Sequence, residues 1–405
     1  MEVVNPLGAG RGKHKVVQIF LTLGDIPKNQ RSKIDRIMLV AVFREKILKR
    51  YGLHKVYEPI VKDLQELEKG IIVYKPFERI IRGGLLMYPA DNLESHAIGG
   101  FSQSFSSRDI CRYCHIQYDD LQSNIHSYGP KQHMEWTISE YDHVSRIAEQ
   151  KGLSNICESG NLSLSDSDDN DSEGETCDED DTELHGVKGR CPLNRLEAFH
   201  CTRGLPVDLM HDIFEGVVSQ DLLGVLRILK SKGWFSMQEY NRNLESFKFK
   251  DNDRNDRPQN VPESAGAKKL VGKAMSIWSH IRNFPLLIRN FVKDKNEAVL
   301  RFGLLLHELV ERITAPQFKS YEVDVLEEKI IEYLDHRQLL FEEYGSLLGS
   351  AKPKMHFMTH YPECVIKFGP PINYWTARFE SRHRIAKSCA ESGKFFRIAF
   401  GLPLK

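Results

Sequence analysis

The chain has 405 residues, 41% of them apolar and 28% charged, enough to bury a core of ordinary size and long enough for about two to three domains. It has no apolar run of about 18 residues that would span a bilayer, and "MEVVNPLGAGRGKHK" lacks the charged-then-apolar layout of a secretion signal, so a membrane partner and secretion are not expected. Eight cysteines are too sparse for a disulfide scaffold, which favours a reducing compartment and points any close cysteine pair toward metal or catalysis.

The formal net charge of zero hides an asymmetry. From Glu158 to Glu183 the run "ESGNLSLSDSDDNDSEGETCDEDDTE" holds 12 acidic residues and no Lys or Arg, which leaves 44 acidic against 56 basic residues elsewhere. The remainder is therefore basic and suited to a polyanion. The acidic run buries too little apolar surface to offset its ordering entropy and is expected to be disordered.

Before that run, "HKVVQIFLTLG" and "RIMLVAVFR" are strand-like and β-branched. "KVYEPIVKDLQELEKG" has helical spacing closed by a glycine, and "GGLLMYPADN" reads as a further strand. "GAGRGKH" lacks the spacing of a phosphate-binding loop and leads into a strand instead of a helix, so a hairpin turn is expected there. After the run, helical spacing recurs through "PVDLMHDIFEGVVSQDLLGVLRILKSKG", "GAKKLVGKAMSIWSHIRNF", "NEAVLRFGLLLHELVERI" and "VDVLEEKIIEYLDHRQLLFEEYG". The hydrophilic "KFKDNDRNDRPQNVPESAG" interrupts these helices as a surface loop.

Several positions carry chemistry. Cys111 and Cys114 in "CRYC" form a Cys-x-x-Cys pair, whose two thiolates can chelate one zinc ion from a turn. A redox role would place the first cysteine at a helix N-terminus after a strand, and "SFSSRDI" is polar and loop-like. The second half-site is either Cys191 with Cys201 or His356 with His360; the histidines, four apart, share one helix face and fit a tetrahedral ion better. Asp91 ends a predicted strand, where a turn role competes with metal binding. Asp208 and His211 stand three apart at a helix start, where Asp is also a common capping residue. Glu380 lies on a predicted helix among Arg378, Arg382 and Arg384, an arrangement also typical of an exposed, ion-paired helix.

Taken together, "MEVVNPLGAGRGKHKVVQIFLTLGDIP", "ADNLESHAIGGFSQSF", "CRYC", "GVKGRCPLNRLEAFHCTRGLPVDLMHDIFEGVV", "KPKMHFMTHYP" and "FGPPINYWTARFESRHR" resemble the transposase of EnSpm/CACTA-type cut-and-paste elements, within the broader CMC group. The resemblance covers most of the chain outside the acidic run. It implies an α/β fold: a ribonuclease H-like mixed sheet core interrupted by a large helical insertion domain. The expected organisation is a first part of the core at 1–110, a Cys-x-x-Cys region and connector at 111–157, the acidic segment at 158–184, the helical insertion at 185–350, and a closing segment at 351–405 with the His pair and the Glu-bearing helix. The layout is also distantly similar to the core of the recombination-activating protein. That core binds zinc through a Cys-x-x-Cys after its second catalytic Asp and a His pair before its Glu. By that likeness Cys111, Cys114, His356 and His360 are the zinc ligands, and Cys191 and Cys201 remain the alternative.

For activity, the resemblance implies a DDE enzyme of DNA cleavage and strand transfer, acting in the nucleus. Mg2+ would be held by Asp91, Glu380 and a first Asp, His211 with Asp208 would lie near the scissile phosphate, and Arg378, Arg382, Arg384 and Lys387 would contact the DNA backbone. A homo-oligomer assembled on DNA is part of the same expectation. In the family the first Asp lies just upstream of the segment matching "EVVNPLG", ahead of Met1 here, and Asp25 falls on the wrong strand to replace it. The expectation is therefore a truncated, catalytically impaired transposase-derived DNA-binding protein, with a domesticated, non-catalytic zinc-containing DNA-binding or scaffold protein as the alternative.

Overall fold

The computed structural model describes residues 2–4, 16–31, 33–74, 78–105, 108–123, 135–158 and 184–382. The fold is mixed α/β, mostly helical, with few short strands. It divides into two compact units, the first made of Met1–His115, Trp136–Pro206 and Thr376–Lys405, the second of Ile116–Glu135 and Val207–Trp375. The expected disorder at 158–184 falls almost wholly on residues 159–183, which lie outside the described residues, as does the "GAGRGKH" turn. No helix among the described residues is long and apolar enough to cross a membrane.

The first unit opens with an antiparallel sheet of β1 (Glu2–Val4), β2 (Val16–Leu21) and β3 (Met38–Arg44), ordered β1-β2-β3. β2 is the central strand, and its residues Val16 to Ile19, including Gln18, are all buried, so burial does not alternate along this half of the strand. Its register with β3 shifts between Ile19 and Phe20.

Helix α1 (Glu45–Lys69) follows, kinked at Gly52, whose φ of 73° lies outside the helical range. It stops where the sequence placed a glycine: Gly70 has φ 110° and donates its N–H to Glu66 O at 3.0 Å. A two-stranded antiparallel pair, β4 (Ile71–Val73) and β5 (Arg79–Ile81), comes next and was not anticipated.

The strand expected in "GGLLMYPADN" is not formed. Residues 83–91 belong to no ladder; Tyr88 N–H bonds singly to Gly204 O at 2.8 Å, and Pro89 has no N–H to offer. The segment is tied down by side chains, with the Tyr88 and Tyr57 hydroxyls 2.6 Å apart in the core. Helices α2 (Asn92–Ile98) and α3 (Ile138–Glu158) complete the described helices of ordinary length in this unit. Tyr141 on α3 reaches through the core to donate to Gly99 O at 2.6 Å and to accept from Cys191 N at 3.0 Å, joining three chain segments.

The second unit is a helical assembly around α4 (Ser219–Ser231), in which almost every residue from Ser219 to Leu229 is buried. A helix apolar on all sides is a central one. It follows a π-helix at Met210–Val218 and packs with α7 (Ala298–Ile313) and α8 (Ser320–Leu348); α5 (Met237–Ser246) and α6 (Ala274–Ile288) lie between them in the chain. Gly224 lets α8 approach, since a Cβ there would meet Leu348 Cδ1 at 2.7 Å. The fully buried Asp221 in the first turn of α4 is answered by Arg337 of α8 through Nε at 2.9 Å and by the Tyr333 hydroxyl. The unit closes with α9 (Pro353–Phe357), a tight 3-10 turn at Met358–His360, and α10 (Tyr361–Phe368).

Candidate metal centre

Cys111 and Cys114 lie in a turn whose backbone favours thiolates. Tyr113 N–H donates to Cys111 Sγ at 3.3 Å, the i to i+2 amide-to-sulfur contact of a chelating loop. Between the cysteines, Arg112 is 1% exposed. Its guanidinium donates to Asn92 Oδ1 at 2.8 Å, Pro206 O at 3.0 Å and the Tyr113 hydroxyl at 2.6 Å, and stacks 4.4 Å from the Tyr113 ring centroid. Complete burial, and then the Arg112 charge, pushes the neighbouring His96 down to about 3, so that His96 is neutral and its Nδ1 meets Ser102 O at 2.7 Å.

The His pair is built into the helical turns at the end of the second unit. Pro353 opens α9, and the chain continues through the tight turn into α10, bringing His356 and His360 onto one face with their Nε2 atoms 3.2 Å apart. Lys354 donates from Nζ to His211 O at 2.8 Å, and the Tyr361 hydroxyl donates to Asp212 Oδ2 at 3.4 Å, fastening this segment to the π-helix. Gly216 faces Lys354, where a Cβ would come within 2.6 Å of its Cδ.

Cys111, Cys114, His356 and His360 are all buried and each offers one ligand atom, the four atoms lying within 4.8 Å of one another. This is a Cys2His2 set that can hold a metal such as zinc. Two Zn–N bonds of about 2.0–2.1 Å at the tetrahedral angle separate the nitrogens by about 3.3 Å, close to the spacing of the imidazoles here. Burial also suits a structural site, in which four protein ligands leave no position for water.

The alternative ligands meet each other instead. Cys191 and Cys201 are buried and joined by a side-chain hydrogen bond; burial first, then Cys201, pushes the Cys191 thiol well up. Cys201 Sγ accepts from Asn194 Nδ2 at 3.4 Å while its N–H donates to Asn194 Oδ1 at 2.8 Å. They are structural thiols of the first unit.

A second group went unforeseen: Glu135, His360 and Glu363 also place their ligand atoms within 4.8 Å of one another. Withdrawal from water, then the charge and hydrogen bond of Glu363, raises the Glu135 carboxyl. Burial raises Glu363 too, but the Lys367 hydrogen bond and charge outweigh it and leave that carboxyl below the ordinary range. Glu363 could have been read from its spacing, three after His360 and four before Lys367, whereas nothing local marks Glu135.

Asp91 sits at the start of α2 and not at a strand end. Its Oδ1 accepts from Glu94 N at 2.8 Å as an N-cap. Asp208, 1% exposed, is hydrogen-bonded to Nδ1 of the half-buried His211, and its backbone N–H donates to Asp212 Oδ2 at 3.2 Å. Residues 377–382 are helical, with Arg378 exposed and Glu380 and Arg382 half-buried; Arg384 and Lys387 lie outside the described residues. Neither metal-capable group among the described residues contains Asp91, Asp208 or Glu380.

No protein-family model matches the sequence, and the comparison with curated proteins returns no match.

Proposed function

We propose that the chain is a zinc-stabilised DNA-binding protein of the EnSpm/CACTA transposase type, in which Cys111, Cys114, His356 and His360 hold one structural zinc. The observation that carries the zinc is the convergence of those four buried residues, the nearer histidine 242 positions beyond the nearer cysteine. Zinc there would close a very long loop and contribute directly to folding. The finer fold reading, a ribonuclease H-like core with a helical insertion, is supported by order: sheet, Asp91, Cys pair, Asp208 with His211, helices, His pair and Glu380 follow one another as the resemblance requires.

The DNA reading is supported by the basic balance outside the acidic run and by the exposed Arg378 beside Glu380. Its test is the salt dependence of binding to a duplex oligonucleotide, followed by fluorescence anisotropy. The full chain should bind with log K falling linearly with log salt, and Arg378→Gln should lower the slope by about 1. Absence of binding at low salt, or binding indifferent to salt, would refute it.

A further inference from the structure

Among the described residues, two metal-capable groups share His360. In one it joins Cys111, Cys114 and His356, all buried; in the other it joins Glu135 and Glu363, with ligand atoms within 4.8 Å of one another. The second group is graded in exposure, since Glu135 is exposed, Glu363 is half-buried and His360 is 1% exposed. A series of donors thus runs from solvent to an imidazole that the buried set also uses. Glu363 and Lys367 follow His360 at helical spacing, and Glu135 arrives from a distant part of the sequence to hydrogen-bond Glu363. Two carboxylates brought together repel unless a proton or a cation lies between them. The Lys367 ammonium, ion-paired with Glu363, answers one of the two charges.

The two groups suit different tasks. Four protein ligands, two of them thiolates, close the shell around a resident ion, whereas three oxygen and nitrogen donors at a solvent-facing edge leave positions for water. Lys367 loosens the second group further, because an arriving ion has to compete with its ammonium for Glu363. A fully buried four-ligand site in turn needs an entry path. We propose that Glu135, Glu363 and His360 form a loading site for a divalent transition-metal ion, Zn2+ above all; the inference rests on the zinc reading given above. The carboxylates capture the hydrated ion, and His360 displaces one of its waters. The ion then exchanges the carboxylates for His356 and the two cysteines, whose thiol protons leave to solvent, and Lys367 recovers Glu363. Release follows the same steps in reverse.

The test uses the zinc-loaded full chain and two readouts: the rate at which bound zinc exchanges with isotopically labelled Zn2+ in solution, and the affinity from competition with a chromophoric chelator. A carboxylate that carries the ion in and out lowers the barrier in both directions, so its loss slows exchange without weakening binding. One that stabilised the resident ion would, when lost, speed release. Glu135→Gln and Glu363→Gln should therefore each keep one zinc per chain, slow exchange by about 10-fold and leave the affinity at the wild-type value. Glu135→Asp, which keeps the charge, should recover most of the rate, and Glu328→Gln, at an exposed acid of α8, should change neither readout. Glu135 is exposed, so its variants fold even where Glu363→Gln is costly. Wild-type exchange in Glu135→Gln, or faster exchange with weaker binding, would overturn the loading site and leave the zinc reading intact. Two ions per wild-type chain would overturn it in favour of a second resident ion. No metal on the wild type would overturn the zinc reading and the loading site together.

Discussion

Arg112, placed between the two cysteines, separates the contribution of geometry from that of charge. Replacing it with lysine keeps a buried cation, so the desolvation cost is nearly the same before and after, but the planar fork is lost. Three acceptors depend on that fork: Asn92 Oδ1 at 2.8 Å, Pro206 O at 3.0 Å and the Tyr113 hydroxyl at 2.6 Å. An ammonium can reach one of the two buried oxygens. The other is left without its donor at about 1–3 kcal/mol, and the guanidinium stack on Tyr113 adds about 0.5–1 kcal/mol. Arg112→Lys should therefore cost about 1.5–4 kcal/mol, read as a lowered urea midpoint at unchanged m-value in saturating zinc. Arg112→Met abandons both oxygens but also relieves the buried charge, so its stability loss should be similar. A lysine variant within about 0.5 kcal/mol of wild type would show that the fork is not what holds this turn.

Acid should destabilise the protein well above the carboxylate range. His96 and His280 have folded values depressed to about 3 and about 4, chiefly by burial, so between those values and about 6.5 the unfolded chain binds more protons and stability falls as pH falls. The urea midpoint should drop from pH 7 to pH 5, and His280→Gln should reduce the slope by up to about 1.4 kcal/mol per pH unit. A pH-independent midpoint would refute this. Gly100→Ala should cost at least about 3 kcal/mol, since φ is +70° and a Cβ would lie 2.0 Å from Gly189 O; thermal denaturation checks it, and a shift of a degree or less would count against that packing. Cys191→Ser should retain zinc while Cys114→Ser loses it, by elemental analysis; the reverse pattern would return the ligand set to Cys191 and Cys201.

The sequence made visible whatever depends on local periodicity or spacing. α7 and α8 announce themselves by apolar residues on one face, β2 by its β-branched run, the end of α1 by Gly70, and the Cys2His2 set by C-x2-C and H-x3-H. What escaped depends on partners far along the chain. "GGLLMYPADN" has strand composition, but no neighbouring strand pairs with it, and Tyr88 and Asp91 are used for a tyrosine pair and a helix cap. The π-helix at 210–218 looked like an ordinary helix start, and its contact with Lys354, whose Nζ donates to His211 O from more than a hundred residues away, has no local signature. Glu135 is likewise found only where the fold delivers it.

The central claim, one zinc held by two cysteines and two histidines, is tested most directly by X-ray absorption at the zinc edge on the full chain, with metal content measured on the same sample. The account predicts one zinc per chain, with a first shell of two sulfurs at about 2.3 Å and two nitrogens at about 2.0–2.1 Å. A sulfur-only shell, a shell of nitrogen and oxygen without sulfur, or protein that takes up no zinc would contradict it.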